Sequence, residues 1–419
     1  MKNAYDIILY FGWVHPSHIH KYLSLKKELN KRASCLLVLG NNKCGKCSNY
    51  GVSNEQLKPF DRFLDDVLVA DLNQASQILH EYKPKILVFG SDQHAWRWQR
   101  QISSQLSATT IQLPHLISSE IFTNANPDYF AVFGPTHEAF LQNCVNPKVH
   151  HARSRLRWRH GGARPDNQDF CSGVPRIYVN PWLYGLHEDC LPIELSREDF
   201  CKKYKLNANK EMPLHCPSWG SVRAAVSAVQ NNKLKELAMP PPLFNDKSRM
   251  TFEDVLNVHK EIYALDNVIT QLHPNEYKRY KSNQIGNKWS YEIMCPTASV
   301  VDPIDSHWAY KYCDYGIGHV SSIGLEFGFF NKPFVYIDKS SLLHWCSDWE
   351  WDGVNHYSWV GHECPLDEMR DFLANKNYRI EDEDLYKKHQ EKFSTNPNVN
   401  SIEFLAEKIA SVEIIKKSL

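Results

Sequence analysis

CDYGIGHVSSIGLEFGFFNKPFVYID, from Cys313 to Asp338, is the stretch that decides the fold. An apolar run ends at Gly316 to His319, Ser321 and Ser322 follow, helix-forming residues run from Ser321 to Phe330, and PFVYID from Pro333 is a second apolar run. Strand, tight turn, helix and parallel strand are the repeating unit of a doubly wound sheet. At the start of such a helix the backbone N–H groups are unpaired and the dipole is positive, so the carboxyl edge of the strand suits an anion. The hydroxyls of Ser321 and Ser322 add donors and make this a phosphate site; the same serines also read as simple helix caps. Glu326, one turn further on, is positioned for a ribose hydroxyl.

Upstream, NVITQLHPNE from Asn267 runs a strand directly into His273-Pro274. Proline ends the strand and fixes the turn, which puts His273 at the carboxyl edge of the sheet. Further strands are expected at RIYV from Arg176 and MPLHCP from Met212, with a helix from Phe252 to Tyr263. The N-terminal part repeats the pattern. Its strands are DIILYF from Asp6, CLLVLG from Cys35, KILVFG from Lys85, TTIQL from Thr109 and YFAVFG from Tyr129, with helices from His18 to Lys31 and Asn73 to Tyr82. Nearly continuous apolar strands between helices indicate parallel sheets covered on both faces.

Between these halves lies HHARSRLRWRHGGARPDNQD, His150 to Asp169, which is basic, Gly- and Pro-containing and without period. The expected organisation is an α/β protein of two doubly wound, Rossmann-like domains, 1–165 and 166–400, facing across a cleft. A last helix from Ile402 to Lys417, within 401–419, packs back on the first domain. A chain of 419 residues suits two such cores.

Lys plus Arg and Asp plus Glu are each 48, and this balance argues against nucleic-acid binding. No run approaches the roughly 20 apolar residues of a membrane span, and MKNAYDIILYFGW lacks the pattern of a secretory signal. A cytoplasmic location follows as an expectation. The 12 cysteines are spread through a large chain, as buried thiols are. Cys44-Gly45-Lys46-Cys47 is a single knuckle without a second pair, so no metal is expected.

The first domain carries two candidates for the reacting base. LVFGSDQHAW places Asp92 and His94 just after a buried strand, where a carboxylate can deprotonate an acceptor hydroxyl or act as nucleophile. YFGWVHPSHIH places His15, His18 and His20 after the first strand. Asp92 also reads as a helix cap. Arg153, Arg155 and Arg157, with Arg159 and Arg164, alternate along one side if extended and suit an anionic glycan or lipid headgroup; a solvated linker is the plain reading. The tryptophans of HWCSDWEWDGVNHYSW from His344 suit sugar stacking or packing between domains.

LHPNE, followed by DYGIGHVSSIGLEFGFFNKPFVYID, resembles the second domain of a group of GT-B enzymes. The group comprises CDP-glycerol glycerophosphotransferases, capsule-type Kdo transferases and bacterial sialyltransferases. The likeness lies mainly between Asn267 and Asp338, with weaker echoes at MPLHCPSWGS and DYFAVFGPTHEAF. It implies donor-phosphate binding by His273, Pro274, Ser321 and Ser322, and ribose binding by Glu326. It further implies transfer of a sugar, such as Kdo or another CMP-linked acidic sugar, from a nucleotide to a cell-surface or lipid-linked glycan. The donor is a substrate and no cofactor is implied; peripheral membrane contact at the inner face fits such an acceptor. The sequence departs from the group at Trp219-Gly220-Ser221, where an Arg- or Asp-containing loop is usual, and at TIQLPHLIS, which lacks a His-Gly pair. These departures leave donor and acceptor open, with glycerophosphate transfer the nearest alternative.

Readings of other classes are an NAD-dependent oxidoreductase and a non-catalytic glycan-binding protein. Gly316, Gly318 and Ser321 form a G-x-G-x-x-S after a strand, with Asp338 ending the next strand, but the third glycine of a dinucleotide site is missing. The non-catalytic reading leaves the phosphate-site residues without a role.

Overall fold

The computed structural model describes residues 5–12, 14–41, 51–90, 105–114, 127–143, 174–185, 187–217, 258, 260–272, 277, 299–318, 323–338, 361–365 and 367–415. The chain divides into two compact units, 1–193 with 390–419, and 194–389.

The first unit is built on β1 (Ile7–Phe11), α1 (Ile19–Asn30), β2 (Cys35–Gly40), α2 (Asn54–Leu57), β3 (Val67–Ala70), α3 (Leu72–Tyr82), β4 (Ile86–Gly90), β5 (Thr109–Leu113), β6 (Tyr129–Phe133), α4 (Gly134–Asn143) and β7 (Arg176–Val179). All seven strands are parallel, in the order β3-β2-β1-β4-β5-β6-β7. Every residue of β1, β2 and β5 is buried, because helices cover both faces of a parallel sheet. One face shows how the layers close. Ala75 and Leu79 of α3 pack on Ile8, Tyr10, Val38, Leu87 and Phe89 of the sheet. Asp71 starts α3 with a reciprocal cap: its carboxylate accepts from Gln74 N at 2.8 Å, and the Gln74 side chain accepts from Asp71 N at 3.0 Å.

The second unit contains α5 (Arg197–Tyr204), β8 (Pro213–Cys216), β9 (Ile269–Thr270), β10 (Ser299–Val300), α6 (Ser306–Tyr312), β11 (Tyr315–Gly318), α7 (Ile323–Phe329), β12 (Phe334–Asp338), β13 (Gly361–Pro365) and α8 (Met369–Ala374). Its six described strands are parallel, ordered β10-β9-β8-β11-β12-β13. In both sheets the order reverses beside the first strand, between β1 and β4 and between β8 and β11. Such switch points open a crevice at the carboxyl ends of the strands.

Two helices follow, α9 (Asp384–Phe393) and α10 (Ser401–Ala410). The stripe Ile402, Leu405, Ala406 and Ile409 of α10 is buried, and α10 packs on α1 and β7 of the first unit. Asn180, just after β7, holds the segment before α10: its Nδ2 donates to Asn396 O at 2.6 Å and its Oδ1 accepts from Asn396 N at 2.8 Å.

Two expectations are corrected. RIYV, expected within the second domain, is the seventh strand of the first sheet, paired with β6 from Phe130↔Arg176 to Phe133↔Val179. The loss of period before it lies within the first unit, and the division falls after Ile193. The last helix stops at Ala410 rather than reaching Lys417. Beyond it the backbone finds other partners: Ile415 N donates to Thr109 Oγ1 at 2.7 Å, at the start of β5.

Candidate functional site

At the switch point of the second sheet, β8 and β11 run side by side into Cys216 and Gly318. Side chains alternate along strands, so Cys216, Gly318 and Gln271, which continues β9 through Gln271 N→His215 O at 2.9 Å, share one face. Helices α6 and α7 bring Tyr310 and Glu326 to the same place. Gln271 Nε2 donates to Tyr310 Oη at 2.7 Å. Glu326 lies in the first turn of α7 and is only 6% exposed. Burial raises the Tyr310 hydroxyl well above the ordinary phenol range, and the nearby Glu326 carboxylate raises it further. Burial, Cys313 and Glu326 likewise raise the Cys216 thiol. The edge thus holds a carboxylate, a phenol, an amide and a protonated thiol within reach of one another.

The opposite face carries a second polar chain. His215 Nδ1 and Tyr263 Oη are 2.6 Å apart, and Tyr263 Oη and Thr270 Oγ1 2.7 Å. His215 and Thr270 are buried register partners on β8 and β9, so this chain ties residues 258–264, where every described residue is helical, to the sheet.

The glycines of β11 are explained by packing. A methyl on Gly316 would stand 2.7 Å from the Phe327 ring and overlap Phe334 as well, and one on Gly318 would overlap the Cys216 carbonyl oxygen. Aromatic rings of α7 and β12 and the neighbouring strand β8 account for both glycines without a pyrophosphate. This weighs against the oxidoreductase reading.

In the first unit, β1 delivers His15 to the carboxyl edge of the sheet, as its place after the first buried strand leads one to expect. His15 stands before the 3₁₀ turn Pro16–His18 with extended backbone, φ −94°. Its Nδ1 is hydrogen-bonded to Ser17 Oγ, and its ring lies 5.0 Å from that of His18. Behind them Phe11, Tyr22 and Trp182 form an aromatic floor, with ring centroids 4.4 to 5.7 Å apart. His20 is the second residue of α1. It is 3% exposed within α1 and serves the core.

Of the residues expected to act, His15 and Glu326 are therefore placed. Asp92, His94, His273, Pro274, Ser321, Ser322, Arg153, Arg155, Arg157, Arg159, Arg164, Trp345, Trp349, Trp351, Cys44 and Cys47 lie outside the described residues. The six described cysteines, Cys35, Cys190, Cys201, Cys216, Cys313 and Cys364, are buried free thiols, as expected. Among the described residues no three His, Cys, Asp or Glu side chains gather to hold a metal ion. No described helix is long and apolar enough to cross a membrane. Sequence reading missed Gln271, Tyr310 and Ser17. The available signal was positional: a polar residue directly after a buried strand, and a serine beside His-Pro.

No protein-family model matches the chain. No curated protein matches it either. Solved structures do. A structure of the wall teichoic acid polymerase TagF with CDPG is similar at 11% identity over 96% of this chain and 88% of that one, with a TM-score of 0.50. UDP-GlcNAc 2-epimerase from Neisseria meningitidis, bound to UDP-GlcNAc, shares 8% identity over 96% and 97%, at TM-score 0.49. MurG from Acinetobacter baumannii shares 10% over 97% and 100%, at 0.43. The likeness is one of fold: the chain has the glycosyltransferase-like GT-B fold, with two doubly wound parallel sheets and a last helix returned to the first.

Proposed function

We propose that the protein transfers a sugar from a nucleotide-linked donor to a glycan, with the nucleotide held at the carboxyl edge of the second sheet. The observation that carries this reading is the buried Glu326 beside Tyr310 and Cys216 at the switch point between β8 and β11. A carboxylate at the carboxyl edge of a doubly wound sheet is an acceptor suited to a ribose diol. By the sequence resemblance, His273 with Pro274, Ser321 and Ser322 meet the phosphates. In the reaction the bond from anomeric carbon to phosphate oxygen breaks, and the acceptor oxygen bonds to that carbon. The phosphate leaves with the electron pair, stabilised by His273 and the serines without a metal ion. Asp92 or His15 takes the acceptor proton. The donor is a cytidine nucleotide of an acidic sugar such as Kdo, and the acceptor a cell-surface or lipid-linked glycan reached at the cytoplasmic face of the membrane. Arg153, Arg155 and Arg157 suit its anionic groups.

A thermal-shift screen against CMP, CDP, UDP, GDP and NAD tests this reading, since a ligand that binds only the folded state stabilises it by about 2.7 kcal/mol at a hundredfold excess over Kd. Stabilisation by a pyrimidine nucleotide, lost in His273→Ala and Glu326→Ala, is the expected result. A response to NAD alone overturns it in favour of hydride transfer, and silence toward all five favours a non-catalytic glycan-binding protein. Turnover of CDP-glycerol in place of a nucleotide sugar identifies the glycerophosphate alternative.

A further inference from the structure

The side-chain oxygen of Gln271 is buried at the carboxyl edge of β9 and meets no hydrogen-bond donor among the described residues. Its amide nitrogen is engaged, donating to Tyr310 Oη at 2.7 Å. Burial and the nearby Glu326 carboxylate hold the pKa of the same phenol above the ordinary range. The edge therefore presents the Gln271 carbonyl as an acceptor, with the Glu326 carboxylate near the tyrosine that engages its amide.

An unpaired buried carbonyl destabilises a protein unless something arrives to donate to it. Phosphate oxygens only accept and do not satisfy it. A ribose hydroxyl supplies a donor for this carbonyl. We infer that Gln271 is a specificity-determining residue whose Oε1 accepts a hydrogen bond from one ribose hydroxyl of the bound nucleotide, beside Glu326. The inference rests on the nucleotide-donor reading above and adds to it the residue that tells ribose from deoxyribose, with Tyr310 as its positioning residue.

Calorimetric titration of the full chain with CDP and UDP, and with their 2′-deoxy and 3′-deoxy forms, tests it. Wild-type protein binds the ribonucleotide about tenfold more tightly than the deoxy form lacking the hydroxyl that meets Gln271. Gln271→Met, similar in shape but without the amide acceptor, loses discrimination at that hydroxyl and keeps it at the other. Tyr310→Phe, which frees the amide to turn, reduces the same discrimination without removing it. Discrimination unchanged at both hydroxyls in Gln271→Met overturns the inference while leaving the nucleotide reading intact. Should Gln271→Met not fold, equal wild-type affinity for the ribo and both deoxy forms overturns it alone. Absence of any binding of CDP or UDP to the wild type removes the reading on which it rests, and the inference with it.

Discussion

Gly318 lies against the main chain of Cys216: a methyl group on Gly318 would stand 3.1 Å from the Cys216 carbonyl carbon and overlap its oxygen. Gly318 and Cys216 are register partners at the carboxyl ends of β11 and β8. The neighbour is backbone, so no rotamer change relieves the overlap. Gly318→Ala is expected to cost about 2–3 kcal/mol and to abolish nucleotide binding, read from urea unfolding midpoints and titration on the same preparation. An unchanged midpoint would show that β8 and β11 separate more freely than this contact implies.

Lys332 closes the end of α6. Its ammonium donates to the carbonyl oxygens of Tyr310 at 2.8 Å, Lys311 at 2.5 Å, and Cys313. Last-turn carbonyls have no partner within a helix, and a buried cation satisfies them through charge-assisted bonds. Lys332→Met keeps the stem and removes the donors, with an expected loss of about 2–3 kcal/mol in chemical denaturation. Tyr310 sits in this same turn, so ribose discrimination should weaken together with stability.

Acid should loosen the second unit through His389. Burial holds its imidazole down to about 4, against an ordinary 6.5, while its Nε2 is hydrogen-bonded to Leu325 O at 3.0 Å. The unfolded chain takes up a proton near pH 6.5 and the folded one resists until about pH 4, so between these values the unfolded state binds more protons. The contribution is complete above pH 6.5 and falls away toward pH 4, by about 3 kcal/mol. Unfolding midpoints at pH 7.5 and 4.5 measure it. In His389→Gln this part of the pH slope should vanish, and a slope equal to wild type would assign acid sensitivity to other groups.

His15 is the described candidate for the base. Its half-buried ring is held by Ser17, so His15→Gln is expected to lower turnover about a hundredfold or more with little change in melting temperature. Ser17→Ala leaves the imidazole present but less firmly oriented and should cost less. Equal turnover in wild type and His15→Gln would leave Asp92 as the base.

The strands most legible in the sequence are those buried on both faces. CLLVLG and TTIQL appear residue for residue as β2 and β5 because a continuous β-rich, apolar run has nowhere else to go. VLVA of β3 escaped notice. It is an edge strand following Asp65-Asp66, and only Ala70 of its four residues is fully buried. GHECP of β13 has no apolar run at all and joins the other sheet at its edge through backbone pairing with β12. At the site, His15 was legible because it follows the first buried strand, which ends at the carboxyl edge. Gln271 was not: nothing local distinguishes a glutamine that meets solvent from one whose amide is clasped by a tyrosine of another helix.

Sequence alone determined the class of fold, because the alternation of buried strands with amphipathic helices is a local pattern that only parallel, doubly layered sheets satisfy. It also placed His15 and Glu326 at strand or helix ends, where a motif of a few residues specifies position. Tertiary structure decided the rest. It assigned RIYV to the first sheet, docked the chain after Ala410 on Thr109, and bonded the Gln271 amide to Tyr310. Each of these depends on a hydrogen bond between residues distant in the chain, and such pairings leave no period in the sequence for a reader to find.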